Sequence, residues 1–147
     1  MYKMLLCTLL SVTPFTTALG QSVITPALTD TLMLSEVEKR DQVFYLKYSD
    51  KPVTALIVDR YETGISRYME EWTQGMGHGQ WVHFYENGEI RERSNVELDV
   101  WHGIAEGWHS NGVDAFEGMF VENERIGRWT WWDEQGAITE SKTYQNR

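Results

Sequence analysis

A chain of 147 residues with a formal net charge of -9 has the size of one domain, or of a short repeat array behind an N-terminal appendage. A composition 41% hydrophobic and 13% aromatic excludes global disorder, and seven Trp and seven Tyr against three Pro favour strands over a flexible linker. The acidic balance argues against a nucleic-acid partner, because phosphate binding needs a concentrated basic surface. It also argues against simple electrostatic docking on anionic lipid.

In chain order, residues 1–20 read as a secretory signal peptide. Lys3 supplies a minimal positive region, residues 4–10 with Val12 form a short apolar core, and Ala18 and Gly20 place small residues before a cleavage at Gln21. The expected location is therefore outside the cytoplasm, periplasmic or extracellular, with a retained N-terminal anchor as the alternative. The apolar stretch is short for a bilayer, so no transmembrane span is expected in the mature chain. Cys7 lies within that stretch, and removing it leaves a chain without cysteine whose fold rests on burial and strand pairing. Residues 21–41 mix Ser, Thr, Pro and Asp with scattered aliphatics and read as a linker, with room for a short helix over residues 32–39.

From residue 42 onward a period emerges. Gly64, Gly88, Gly112 and Gly136 are spaced by 24 residues, and two of them follow Asn, in Asn87-Gly88 and Asn111-Gly112. Asn-Gly between strands is a strong signal for a type I′ hairpin turn, in which both central residues take positive φ; Thr63 before Gly64 suits that geometry poorly. Other columns keep phase: Ile57, Trp81, Ala105 and Trp129 stand seven residues before the turn glycine, and Arg60, Phe84, Trp108 and Trp132 stand four before it. Eight residues after it come Trp72, Val96, Phe120 and Tyr144, and one period back lies Tyr48. This last column is the expected core spine.

The pattern predicts an all-β protein, an antiparallel meander of tandem 24-residue hairpins forming an elongated, twisted or rolled sheet. The units run at about residues 55–78, 79–102, 103–126 and 127–147, within a repeat domain over residues 42–147 that opens on a degenerate lead-in, residues 42–54. The columns seven and four residues before the turn have opposite parity, which implies either a bulge in each strand or burial on both faces.

These residues resemble the MORN-repeat variant family, bacterial proteins with tandem G-x-W-x-x-[YFW]-[YW]-x-x-N-G units. The clearest matches are Gly79, Trp81, Phe84, Tyr85, Asn87 and Gly88, and Gly127, Trp129 and Gly136; the unit from Gly103 keeps Trp108, Asn111 and Gly112 but has Ala105 where the family prefers Trp. A further family glycine eleven residues after the turn is kept as Gly75 and replaced by Asp99 and Asn123, residue types that tolerate left-handed backbone. The resemblance implies a binding or scaffolding role. Some relatives are labelled antitoxins, which implies an antitoxin-like protein neutralising a toxin as one alternative, and eukaryotic members are associated with membrane lipids and protein assemblies.

Chemistry is hard to find in this pattern. His78 and His102 are one period apart and belong to the repeat, while His83 and His109 show no metal-ligand spacing, so no metal and no cofactor are expected. The abundant carboxylates and the serines fall in no recognisable catalytic arrangement, so no catalytic residue is expected and the chain reads as a non-enzyme. What stands out is aromatic surface. A single-layer sheet cannot hide both faces, so Tyr85, Trp108, Trp131 and Trp132 are candidate binding residues, either exposed for stacking or engaged in cross-strand pairs. The expected partner is another protein, with an envelope glycan as the alternative, the latter from a general likeness to aromatic-rich choline-binding repeats.

Overall fold

The computed structural model describes residues 30–145. The expected signal peptide, the first part of the expected linker and residues 146–147 lie outside the described residues. Eleven strands follow one another: β1 (Thr31–Met33), β2 (Val37–Arg40), β3 (Val43–Leu46), β4 (Ala55–Arg60), β5 (Ser66–Thr73), β6 (Met76–Phe84), β7 (Ile90–Glu97), β8 (Val100–Trp108), β9 (Asp114–Val121), β10 (Glu124–Trp132) and β11 (Ile138–Tyr144). Nine of them form one sheet in the order β1-β4-β5-β6-β7-β8-β9-β10-β11, antiparallel throughout except where β1 lies parallel to β4. The hairpins β4–β5, β6–β7, β8–β9 and β10–β11 are the repeat units, each centred on a turn glycine.

Each turn within a unit has one geometry. The amide of Gly88 donates to the carbonyl of Tyr85 (3.0 Å) and the amide of Tyr85 to that of Glu89 (2.8 Å), and the same pair of bonds recurs around Gly64, Gly112 and Gly136. All four glycines have positive φ, between 80° and 91°, whereas Asn87 and Asn111 are not among the positive-φ residues. These are three-residue loops closed by a left-handed glycine, so the expected type I′ turn is absent here, and Thr63 is accommodated because its position needs no positive φ. The two-residue turns with both residues left-handed lie instead between units, at Gln74-Gly75, Leu98-Asp99 and Glu122-Asn123, as well as at Asp41-Gln42. Asp99 and Asn123 hold the place of the family glycine and add a bond that glycine cannot: Asp99 Oδ1 accepts from the amide of Gly77 (2.7 Å) and Asn123 Oδ1 from that of Trp101 (2.8 Å).

The N-terminal part corrects two expectations. Residues 30–41 are not a linker: they form β1, a single 3-10 turn (Leu34–Glu36), which is all there is of the expected short helix, and β2. Their aliphatics look scattered in sequence but converge in space, where Val37 is buried with Val53, Ala55, Ile57 and Trp72, and Leu32, Leu34 and Phe44 pack against them. The second correction concerns Tyr48, which is 99% exposed rather than part of the core column. β3 pairs with β2 in a separate two-stranded sheet, and the chain leaves it at Leu46, so the period does not extend back to Tyr48. The hairpin β2–β3 covers the first end of the large sheet. Phe44 donates its amide to the Gly75 carbonyl (2.8 Å) and receives that of Val53 (3.0 Å), and its ring meets Trp72 edge-on at 4.5 Å between centroids. In the remaining column Trp72 and Val96 are buried, while Phe120 and Tyr144 are half-buried.

Candidate binding site on the aromatic face

Cross-strand pairing assigns each side chain to a face. One row of partners runs Asp59, Tyr68, His83, Glu92, Gly107, Phe116, Trp131 and Glu140; a second runs Glu70, Trp81, Ser94, Ala105 and Gly118. By strand alternation these share a face with Trp72, Val96, Trp101, Phe120 and Trp129. Both answers to the parity question hold at once. A register shift lies at the end of the first strand of these units, between His83 and Phe84, Gly107 and Trp108, and Trp131 and Trp132, and buried apolar side chains occur on both faces.

The rings on this face form a continuous chain. Trp72 stacks on Trp81 (5.4 Å between centroids), Trp81 meets Trp101 edge-on (5.3 Å), and Trp101 is followed by Phe120 (6.2 Å). Phe120 meets Trp129 edge-on (5.0 Å), and Trp129 stacks on Trp131 (5.8 Å). Such pairs prefer offset-stacked and edge-to-face arrangements, as found here. The rings lie over the sheet because glycines leave room: a Cβ on Gly77 would overlap Trp81, one on Gly107 would overlap Phe116, and one on Gly118 would overlap Trp129.

The units differ at two positions of this face, and the difference makes a pocket. The second unit has Gly77 with Trp81, the third Trp101 with Ala105, and the fourth Arg125 with Trp129. In the third unit the large and small side chains have changed places, so the indole missing at Ala105 leaves a depression of about 230 Å³. Its walls are Trp101, Phe116, Phe120, Trp129 and Trp131, with Glu92, Ser94 and Arg125 supplying polar groups. The Arg125 guanidinium lies over Trp129 (4.6 Å to the centroid) and Trp131 (5.7 Å), where it faces the negative ring surfaces.

Beside the pocket, Glu92 belongs to a charged row. His83 lies between two carboxylates, with Nε2 3.2 Å from Glu70 Oε1 and Nδ1 2.9 Å from Glu92 Oε1. Hydrogen bonds to Glu70 and then Glu92 outweigh burial and push the imidazole pKa up to about 9, while the bond to His83 holds the Glu92 carboxyl below its ordinary value. The ring is then an imidazolium at neutral pH, donating from both nitrogens. Arg91, 3.0 Å from Nδ1, could donate to that atom only if the ring were neutral, so we assign it to Glu92 (3.5 Å). Among the described residues, no group of three His, Cys, Asp or Glu is placed to hold a metal.

Of the four candidate binding residues, the pocket takes in Trp131. Tyr85 instead ties neighbouring units, its hydroxyl donating to the Trp108 carbonyl (2.8 Å), as Tyr61 does to Phe84 (2.8 Å) and as His109 Nε2 does toward Trp132 (2.9 Å). Trp108 is buried on the opposite face, with the Arg93 guanidinium 5.5 Å from its ring centre, and Arg93 is held by Glu106 (2.6 Å). Trp132 is half-buried and lies outside the pocket. Trp101, Phe116, Phe120, Trp129 and Arg125 were not singled out as binding residues in the sequence, although Ala105 in a Trp column was the available signal.

The described residues contain no helix long and apolar enough to cross a membrane. A family model described as MORN repeat variant matches residues 77–97, which span β6 and β7 and so amount to one complete hairpin unit. Neither the comparison with curated proteins nor that with solved structures gives a match. The matched hairpin is one of four related by the 24-residue period, so the likeness to the MORN repeat variant is to a single unit of the array.

Proposed function

We propose that the protein is a non-catalytic module that binds another protein across the aromatic face of its sheet, with the Ala105 pocket receiving an anchoring side chain. One observation supports this reading above the others. The third unit exchanges Gly-Trp for Trp-Ala, and the resulting depression is walled by five aromatic side chains beside a few polar groups. Interfaces take most of their affinity from such well-packed aromatic anchor points. The repeat itself accounts for the remaining rings as cross-strand packing. The MORN repeat variant is a repeat module, which fits binding better than chemistry. We further propose that the protein acts after export, on the strength of residues 1–20.

The test is paired affinity purification from the native host. The bait is compared with a variant carrying Trp101→Gly and Ala105→Trp, which reinstates the arrangement of Gly77 and Trp81. A second variant, Glu117→Lys, alters the opposite face. A protein retained by the bait and by Glu117→Lys but lost with the pocket variant supports the reading; equal retention by all three contradicts it. N-terminal sequencing of the purified protein tests export, a first residue of Gln21 being expected and an intact Met1 in the cytosol contradicting it.

A sugar is the second reading, favoured by the pocket's combination of stacking surfaces with Glu92, Ser94 and Arg125 at its polar side. Binding to an array of envelope glycans that is abolished by the same pocket variant would establish it in place of the first.

A further inference from the structure

The two edges of the large sheet are unlike. β1 offers three residues, and the chain turns away from it at once into the 3-10 turn and the covering hairpin. β11 offers seven, all exposed except the half-buried Tyr144, with no Pro or Gly to interrupt them. Among the described residues β11 pairs on one side, with β10. A long edge of this kind presents unpaired amide and carbonyl groups that another strand can satisfy.

The sequence of β11 is complementary to itself. In an antiparallel pair centred on Ser141, Glu140 stands opposite Lys142 on both sides of the centre, while Thr139 is the extra residue of a bulge opposite Trp131 and Trp132 and Ile138 beyond it lies on the other face. Opposite charges directly across an antiparallel pair stabilise it, and this pairing forms two such pairs about one axis. Neither Glu140 nor Lys142 has an ion-pair partner among the described residues, the Lys142 ammonium resting 4.9 Å from the Tyr144 ring centre. A shift of register by two residues loses the two ion pairs, and a shift by one is impossible about a two-fold axis that pairs residues directly.

We propose that β11 is a self-association edge, on which a second copy of this chain pairs antiparallel about Ser141. The two-fold axis stands perpendicular to the sheet, so the aromatic faces of both copies lie on the same side. Glu140 pairs across β10 with Trp131, which lines the Ala105 pocket, so each pocket lies two strands from the new seam. The product is one continuous surface with two pockets facing the same way, suited to a partner that repeats or is itself two-fold. This inference stands on the edge and its sequence, independently of what the pocket binds.

The experiment is sedimentation velocity on the full chain with charge-swapped variants. Wild type is expected to sediment as a dimer at micromolar concentration. Glu140→Lys and Lys142→Glu, alone, each create two like-charge pairs at the seam and are expected to weaken association about tenfold or more. The double variant restores opposite charges and is expected to recover the dimer. Far-ultraviolet circular dichroism confirms that each variant retains the sheet. A monomeric wild type, or single swaps that associate as wild type does, would overturn the proposal, as would a double variant no better than the singles.

Discussion

Ala105 stands directly opposite Gly118 across β8 and β9, so the aromatic face falls away between Trp101 and Trp129 instead of rising into another indole. That depression results from an exchange of sizes within one repeat rather than from a missing residue, and its consequences are open to measurement.

Ala105→Trp alone adds an indole that, unlike Trp81 over Gly77, has no glycine to lie over and meets Trp101 instead, so it is expected to destabilise the fold by about 1–3 kcal/mol. Adding Trp101→Gly is expected to recover most of the loss, because Gly77 leaves room for Trp81 in the same way. Chemical denaturation of the two variants beside wild type checks this. Equal stability of the single and double variants would show that the two positions do not share volume.

Gly118→Ala puts a methyl group into the ring of Trp129, which is 2% exposed and cannot move outward without uncovering the core. A loss of about 1–3 kcal/mol is expected, with a change in near-ultraviolet circular dichroism reporting the displaced indole. Gly88→Ala meets no neighbouring atom but forces a side chain onto φ +91°, so its expected cost of about 1 kcal/mol is backbone strain and leaves that spectrum unchanged.

The His83 row makes stability depend on pH. Its pKa is raised from 6.5 to about 9 on folding, so protonated His83 stabilises the fold fully below about pH 6.5, and that stabilisation is lost as pH rises through 9. With a side chain 23% exposed, the contribution is on the order of 1–3 kcal/mol. Glu92, held below its ordinary value, works in the other direction: its share is present above about pH 4.5 and is lost in acid. Denaturation midpoints for wild type should therefore fall between pH 6.5 and 9, and those of His83→Gln should fall much less. A wild-type midpoint flat over that window would contradict the assignment.

Leu98 occupies the first position of a two-residue turn at φ +51° and is more than half exposed. A branched apolar residue has nothing to compensate it there, so Leu98→Asn is expected to stabilise the protein by about 0.5–1 kcal/mol, read as a higher melting temperature.

Much of this architecture was legible in the sequence because it repeats. A period of 24 residues locates the four hairpins from their glycines without any knowledge of the fold, and the same columns place Trp72 and Val96 in the core. Turn type was less legible. Asn-Gly occurs in both two-residue and three-residue loops, and only the bond from Tyr85 to Glu89 decides between them. The N-terminal hairpin escaped because Leu32, Leu34, Val37 and Phe44 follow no single period, being assembled from a strand, a 3-10 turn and two further strands. Alternation from Ala105 puts Trp108 on the opposite face, where it is found, but gives no sign of its burial there beneath Arg93. Tyr85 was misleading for a different reason: a half-exposed ring near a turn looks available until its hydroxyl is seen bonded to the next unit.

The opposite face offers a rival. Ile104 and Met119 are cross-strand partners there, 49% and 41% exposed, with Ile126 beside them. Photo-crosslinking from one position on each face decides between them most directly. Benzoyl-phenylalanine replaces Phe116, in the wall of the pocket, or Met119, and the protein is irradiated in its native host. A discrete adduct with another protein is expected from position 116 and none from position 119. An adduct from Met119 alone, or the same adduct from both, would contradict it.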